Sequence, residues 1–344
     1  MTDTFLPFLQ KVLDGTALNQ EQAYQAFNQL LSGEVSDVQV SAFLTAIKIR
    51  GESADEVTGA VKAMRVAMTK IKAPEGAIDV VGTGGDGAYT YNISTASAFV
   101  AAACGAKVAK HGNRSVSSLT GASDVLTALG VNINAAFQLI EKSIDTLGIG
   151  YLSAVKHHPA LRHVSPVRQA LGVRTIFNII GPLSNPAGTK YQLIGTYARN
   201  LQIPMAQTLA NLGSIHAWIV HGLEDGIDEL SISGPSRVVE LKDGEIRDFK
   251  ITPEEVGLSP APLSAIRGGD AQENARALRA IFEGDKNAYA DIVALNSGAC
   301  LLVAGIVKDL QSGVKAAQGA MASGAALSVL NKLSMLTNNP ESLP

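Results

Sequence analysis

The stretch DVVGTGGDGAYTYNIST, Asp79 to Thr95, decides how this chain is read. A short β-branched run ends in a glycine loop that formally spells G-x-G-x-x-G at Gly82, Gly84 and Gly87, the fingerprint of dinucleotide-binding folds. That fingerprint also demands a helix starting inside the motif and an acid about 20 residues further on, at the end of the next strand. Neither is present. Asp86 precedes the third glycine, where its charge opposes a diphosphate unless a cation intervenes, and the next strand, KVAK, runs into Lys110, His111 and Arg114. No Gly-Lys-Ser/Thr follows, so a Walker loop is excluded too. A glycine-rich surface turn is the bland alternative.

The residues after the glycines argue against a plain turn. Thr90, Asn92, Ser94 and Thr95 crowd hydroxyls and an amide at the start of an alanine-rich helix, where unpaired backbone N–H groups and the helix dipole favour an anion. Helix capping alone accounts for one of them, not four. A second segment, KHGNRSVSS from Lys110 to Ser118, places two cations, a histidine and three serines after the following strand. In doubly wound sheets ligands sit beyond the carboxyl ends of the strands, so both loops are expected to face one crevice and to hold phosphates. A third segment, HGLEDGIDELS, follows the apolar strand AWIV and carries adjacent acids, Asp228 and Glu229. Adjacent acids are commonly solvated charge; beside a polyphosphate they point to magnesium, which binds through one or two carboxylates plus substrate oxygens.

Composition bounds the rest. The 344 residues, 46% hydrophobic and 17% charged, suffice for a large core and about two domains. Lys plus Arg total 28 against 31 Asp plus Glu, and a net charge of -3 gives no overall pull toward nucleic acid or an acidic membrane. Cys104 and Cys300 form no C-x-x-C and sit in small-residue apolar runs, which speaks against zinc and disulfides and for a reducing compartment. No basic leader and no apolar run of roughly 20 residues is seen, and the expected location is cytoplasmic.

Two regions differ in pattern. Ala23, Ala26, Phe27, Leu30 and Leu31 recur at helical spacing after Asn19, a candidate N-cap, and Ser53 with Glu56 makes a capping box before Val57, Ala60, Val61 and Met64. From AIDVVGTGG onward, short β-branched runs (IDVV, KVAK, YQLIGTY, HAWIVHG) alternate with alanine-rich helical stretches, the signature of an α/β fold with a mostly parallel central sheet. YADIVALNSGACLLVAGIV and AAQGAMASGAALSVLNKL read as helices packed closely on that sheet, and VVELKDGEIRDFKI as an edge hairpin turning at Asp243-Gly244.

GTGGDGAYTYNIST, KHGNRSVSS, RHVSPVRQALGVRTIFNIIGPLSNP and DGIDELS, in this order behind an N-terminal helical segment, closely resemble the anthranilate phosphoribosyltransferase family of tryptophan biosynthesis over nearly the whole chain. The resemblance implies a discontinuous α domain, 1–72 with a returning segment at about 162–184, beside an α/β domain at 73–344. It implies transfer of a phosphoribosyl group from phosphoribosyl diphosphate (PRPP) to the amine of anthranilate, the second step of tryptophan synthesis from chorismate. It places PRPP on Gly82, Gly85, Asp86, Thr90, Asn92, Ile93, Ser94, Thr95, Lys110, His111, Gly112, Asn113, Arg114, Ser115, Val116, Ser117, Ser118 and Ala122. At Ala122 the family more often carries a serine. Magnesium falls on Ser94, Asp228 and Glu229, and anthranilate on Gly82, Asn113, His158 and Arg168, where a guanidinium fork suits a carboxylate; a surface or interdomain salt bridge is the alternative for Arg168. His111 either takes the proton of the amine or donates to phosphate. The family also implies a homodimer through the N-terminal helices. A pyrimidine nucleoside phosphorylase, an NADP-dependent oxidoreductase and a non-catalytic ligand sensor remain as alternative readings.

Overall fold

The computed structural model describes residues 4–113 and 120–339. Four helices open the chain: α1 (Leu6–Leu13), α2 (Gln20–Ser32), α3 (Asp37–Arg50) and α4 (Ala54–Ala67). α2, α3 and α4 each begin with a capping box, at Asn19 with Gln22, Ser36 with Gln39 and Ser53 with Glu56, so their starts are locally encoded. Glu56 does more than cap: it is fully buried, accepts from Leu18 N and pairs with Arg50, tying α4 to the end of α3 and to the loop before α2 at one carboxylate. Phe27 sits at the centre of the bundle, edge-on to Phe43 at 5.7 Å and to Phe177 at 5.8 Å between ring centroids. Phe177 comes from the short helix Phe177–Ile180, so the segment following His158 returns to pack with the first four helices.

Seven strands form one sheet in the order β3-β2-β1-β4-β5-β6-β7. They are β1 (Ile78–Gly82), β2 (Val108–Gly112), β3 (Ile149–Ser153), β4 (Tyr191–Gly195), β5 (His216–Gly222), β6 (Ser236–Lys242) and β7 (Glu245–Ile251). β1 to β5 pair in parallel, and β6 and β7 add an antiparallel edge. The expected hairpin is there, with Asp243 at φ 51° and Gly244 at φ 86°, the two positive angles a type I′ turn requires. β3 was not picked out by the sequence patterns, because Gly148, Gly150 and Ser153 dilute its apolar run.

Alternate strand residues enter two different cores, as a sheet buried on both faces requires. Val80, Val108, Leu193, Trp218 and Val220 face α5 (Ile93–Ala103) and the helix Ala288–Val303. Val81, Ile194, Ile219 and Val239 face the N-terminal bundle and the helix Gln202–Asn211. One expectation needs correction. AAQGAMASGAALSVLNKL is two helices, Leu310–Ala322 and Ala325–Asn338, broken where Gly324 turns left-handed at φ 72°. The first of them packs on the Ala288–Val303 helix, not on the sheet: a Cβ on Gly313 would lie 2.6 Å from the Gly298 carbonyl, so only paired glycines permit that crossing.

Candidate active site

The chain leaves β1 toward β2 and β3 on one side and reaches β4 and β5 on the other, which puts the topological switch point between β1 and β4. Gly82 and Gly195 end these two strands and pair in register. Both lack a Cβ for a visible reason: one on Gly82 would fall 2.3 Å from Asp228 Oδ2, and one on Gly195 would fall 1.5 Å from the Asp228 carbonyl. The acid-bearing loop after β5 therefore folds back across the crevice and lies against the glycine loop.

The geometry there is acidic and dry. Gly84 N donates to Asp228 Oδ2 at 2.6 Å, Asp86 accepts from Ala88 N at 3.1 Å and from Asp228 N at 3.3 Å, and Glu229 accepts from both the backbone and the hydroxyl of Ser94. Asp228 and Glu229 are 9% exposed, which removes the solvated-pair reading. Burial, then Asp86 and Glu229, pushes the Asp228 carboxyl well above its usual range. Burial pushes Glu229 up to about 7 against the opposing pull of Ser94 and Lys110. The loop is held from below, where Asn296 of the Ala288–Val303 helix brackets Leu230 with bonds of 3.0 Å to its N–H and its carbonyl, and Asp225 takes the Ser231 hydroxyl at 2.6 Å.

Helix α5 starts at Ile93, beyond Gly87, so the helix start that the dinucleotide fingerprint requires is missing in space as well. The anion at its N-terminus is the chain's own Glu229. Ile93 and Thr95 are buried. Asn92 spends its amide inside the protein, donating to the Thr120 carbonyl at 3.2 Å and accepting from Asn274 at 3.0 Å. Thr90 pairs its backbone with Arg267, and Gly85, at φ 78°, abuts Arg174, whose guanidinium lies 4.2 Å from the Tyr197 ring centre.

Lys110, expected at the start of a segment following the second strand, lies inside that strand. It is 4% exposed, its Nζ donates to the Val80 carbonyl at 2.7 Å, and it lies in the field of Asp79 and Glu229. Residue 110 alternates with His111 along β2, and the strand end is covered. His111 N reaches Asp79 Oδ1 at 2.9 Å, and its Nε2 lies 3.2 Å from Nε2 of His158. Burial, then His158, His157 and Lys110, holds His111 well below the usual histidine range, and burial holds His158 down to about 4. Gly112 is half-buried against Ala122, whose methyl would be 3.2 Å from a Cβ there. Asn113 is exposed at the strand's end. Arg114, Ser115, Val116, Ser117 and Ser118 lie outside the described residues.

Arg168, on the helix Ser165–Leu171, stacks 5.1 Å over the Phe177 ring and makes no ion pair with any described residue, so the salt-bridge alternative finds no partner among them. Burial lowers its pKa. The segment between His158 and Arg174 packs with the helical bundle through Val164 and Val167, and it reaches the strand ends at His158, beside His111, and at Arg174, beside Gly85. Sequence reasoning missed Asp79, whose signal was an acid inside an otherwise apolar strand. It also missed Asn296, for which an all-apolar helix carried no signal, and the segment at 266–274 that reaches Thr90 and Asn92.

Comparison with known proteins agrees over the full length. Residues 6–68 match the family model described as glycosyl transferase family, helical bundle domain, and residues 74–327 the one described as glycosyl transferase family, a/b domain. The chain is 50% identical over 330 residues to the anthranilate phosphoribosyltransferase of Paramagnetospirillum magneticum, covering 96% of this chain and 95% of that protein. It is 49% identical to that of Azorhizobium caulinodans, with 97% of each covered. Among solved structures, the Thermus thermophilus anthranilate phosphoribosyltransferase superposes with a TM-score of 0.91 at 43% identity, over 96% of this chain and 99% of that one. The Saccharomyces cerevisiae enzyme in complex with PRPP and Mg gives 0.88 at 27% identity, over 100% and 99%.

Proposed function

The chain belongs to the anthranilate phosphoribosyltransferase family of glycosyl transferases, and from that membership we infer how its crevice transfers the phosphoribosyl group of PRPP to the amine of anthranilate in tryptophan biosynthesis. The observation that carries the reading is the buried pair Asp228 and Glu229 folded onto the glycine loop, beside Asp86, at the sheet's switch point.

Burial raises the Asp228 and Glu229 carboxyls, and a nearby cation would favour their charged forms. Asp228, Glu229 and the Ser94 hydroxyl would hold magnesium, an ion that binds through one or two carboxylates and takes its other ligands from water and substrate phosphates. No group of three or more His, Cys, Asp or Glu side chains placed to hold a metal is found among the described residues. When bound, the ion neutralises charge on the departing diphosphate. Lys110, fixed to the Val80 carbonyl, supplies a buried positive charge beside Glu229 and is assigned to that acid rather than to a phosphate oxygen.

An aromatic amine is largely unprotonated at neutral pH, so the nucleophile needs positioning at the anomeric carbon more than it needs a strong base. Arg168 takes the acceptor's carboxylate through its fork, with Phe177 holding the guanidinium plane, and Asn113 closes the acceptor side. The glycine loop's backbone and the Thr90 hydroxyl face the phosphates. His111 and His158 stand as a neutral, mutually bonded pair. The bundle of residues 1–72 with the returning 162–184 segment is assigned as one domain, on the shared packing of Phe27 and Phe177.

The same reading includes a homodimer. Val38 and Ile49, 79% and 82% exposed, lie three turns apart on one face of α3, and Leu6 and Leu13 of α1 are exposed as well, apolar surface that a two-fold partner would cover. No helix among the described residues is long and apolar enough to cross a membrane, in keeping with the cytoplasmic assignment. The test of the function is loss of anthranilate fluorescence on adding PRPP and magnesium, with uridine plus phosphate, and NADPH absorbance, as controls. Turnover in either control and none with anthranilate would reverse the assignment.

A further inference from the structure

A strap from the far end of the chain crosses the mouth of the glycine loop. Ile266 accepts from Tyr91 N at 3.0 Å, Gly268 N donates to the Tyr89 carbonyl at 2.8 Å, and Arg267 pairs with Thr90 as an isolated antiparallel bridge. The fit requires glycine: a Cβ on Gly268 would lie 2.7 Å from the Thr90 carbonyl. Tyr89 itself stands at φ 52°, a left-handed angle that a non-glycine residue keeps only when its neighbours hold it.

From the strap, four residues close a circuit of side-chain bonds. Asn274, 2% exposed, accepts from Gly269 N at 2.8 Å and donates to Asn92 Oδ1 at 3.0 Å. Asn92 donates to the Thr120 carbonyl at 3.2 Å, and the Thr120 hydroxyl returns to the Gly269 carbonyl at 2.9 Å. Asn92 lies immediately before α5, and Thr120 stands two positions after Ser118 in the chain. The circuit therefore ties the end of the first loop to Thr120 through a residue that belongs to neither segment. Asn274 satisfies both ends of its amide in doing so, which a buried amide must.

We propose that Asn274 is a positioning residue of the PRPP cradle, holding the end of the Gly82–Thr95 loop at Asn92 against Thr120 and Gly269. The inference rests on the reading that this loop receives PRPP. Arg168, His111 and His158, assigned to the acceptor side, share no hydrogen bond with the circuit. Loss of the circuit should therefore separate the two substrates, where a general loss of structure would affect both.

The experiment is steady-state kinetics on wild type, Asn274→Ala, Thr120→Val and Thr120→Ser, with thermal melts taken with and without PRPP and magnesium. Asn274→Ala should raise the KM for PRPP about tenfold or more, the factor that 1.4 kcal/mol represents, with the KM for anthranilate unchanged. Thr120→Val should shift it in the same direction, and Thr120→Ser, which keeps the hydroxyl, should restore it. The PRPP-induced rise in melting temperature should shrink in the first two variants. Wild-type turnover together with an unaltered KM for PRPP in Thr120→Val overturns the proposal, as does an equal change in both KM values. Absence of wild-type turnover with PRPP would instead reject the function on which the proposal rests.

Discussion

On the diphosphate side of the crevice burial acts on acids, and on the acceptor side it acts on bases. Asp228 and Glu229 are driven up, Glu229 to about 7, by burial first, with Asp86 adding to both shifts. His111 and His158 are driven down, His158 to about 4, by burial first, with His158, His157 and Lys110 adding to the shift of His111 and His157 to that of His158. The same desolvation raises the carboxyls of one wall and lowers the imidazoles of the other. Under the proposed function the first wall would hold the cation, and Arg168 would meet the carboxylate of the acceptor.

The largest effect should come from disarming the acid wall. Asp228→Asn with Glu229→Gln preserves shape and removes two ligand charges. Turnover should fall by about a hundredfold or more, the scale of losing a preorganised electrostatic element, while the fold survives. Initial rates against magnesium concentration, with melts in parallel, decide it; a folded variant with an unaltered magnesium curve would remove these residues from the site.

On the acceptor wall, Arg168→Ala should raise the KM for anthranilate roughly ten- to a hundredfold, as loss of a charge-assisted bond of about 1.5–3 kcal/mol implies. The KM for PRPP should stay close to wild type. Equal loss of both affinities would show that Arg168 supports the fold through Phe177 instead of the acceptor.

The buried histidines sharpen the contrast through stability. His158 binds its proton less readily folded than unfolded, so the unfolded chain takes up more protons below the ordinary value of about 6.5. Its contribution is present above that pH and is lost as pH falls toward 4. Melts from pH 7 to 4 should therefore show a loss on the order of 2–3 kcal/mol that His158→Gln reduces. An identical acid profile in the variant would mean other groups carry the loss.

The smallest effect on turnover should come from the face remote from both walls. Val38→Asp with Ile49→Asp places charges on the exposed face of α3 and should convert a dimer to a monomer by sedimentation, with turnover changing by about twofold at most. A monomer already in wild type at micromolar concentration would end the dimer assignment.

What the sequence determined by itself was whatever is encoded over short range. The N-cap at Asn19, the capping box at Ser53, the alternation of β-branched and alanine-rich runs, and the Asp243-Gly244 turn each depend on residues within a few positions of one another, and each forms as read. The glycine loop and the Asp228-Glu229 pair at one edge of the sheet were legible too, since strand ends carrying polar residues fall together at one edge of a parallel sheet. What only the tertiary structure decided was which of those polar groups are already spoken for. Asn92 bonds inward to Asn274 and Thr120, Lys110 to the Val80 carbonyl, and Ser94 to Glu229, because burying a polar group demands a partner wherever the fold supplies one. Those partners come from 28 to 182 residues away along the chain, a separation that no local pattern spans.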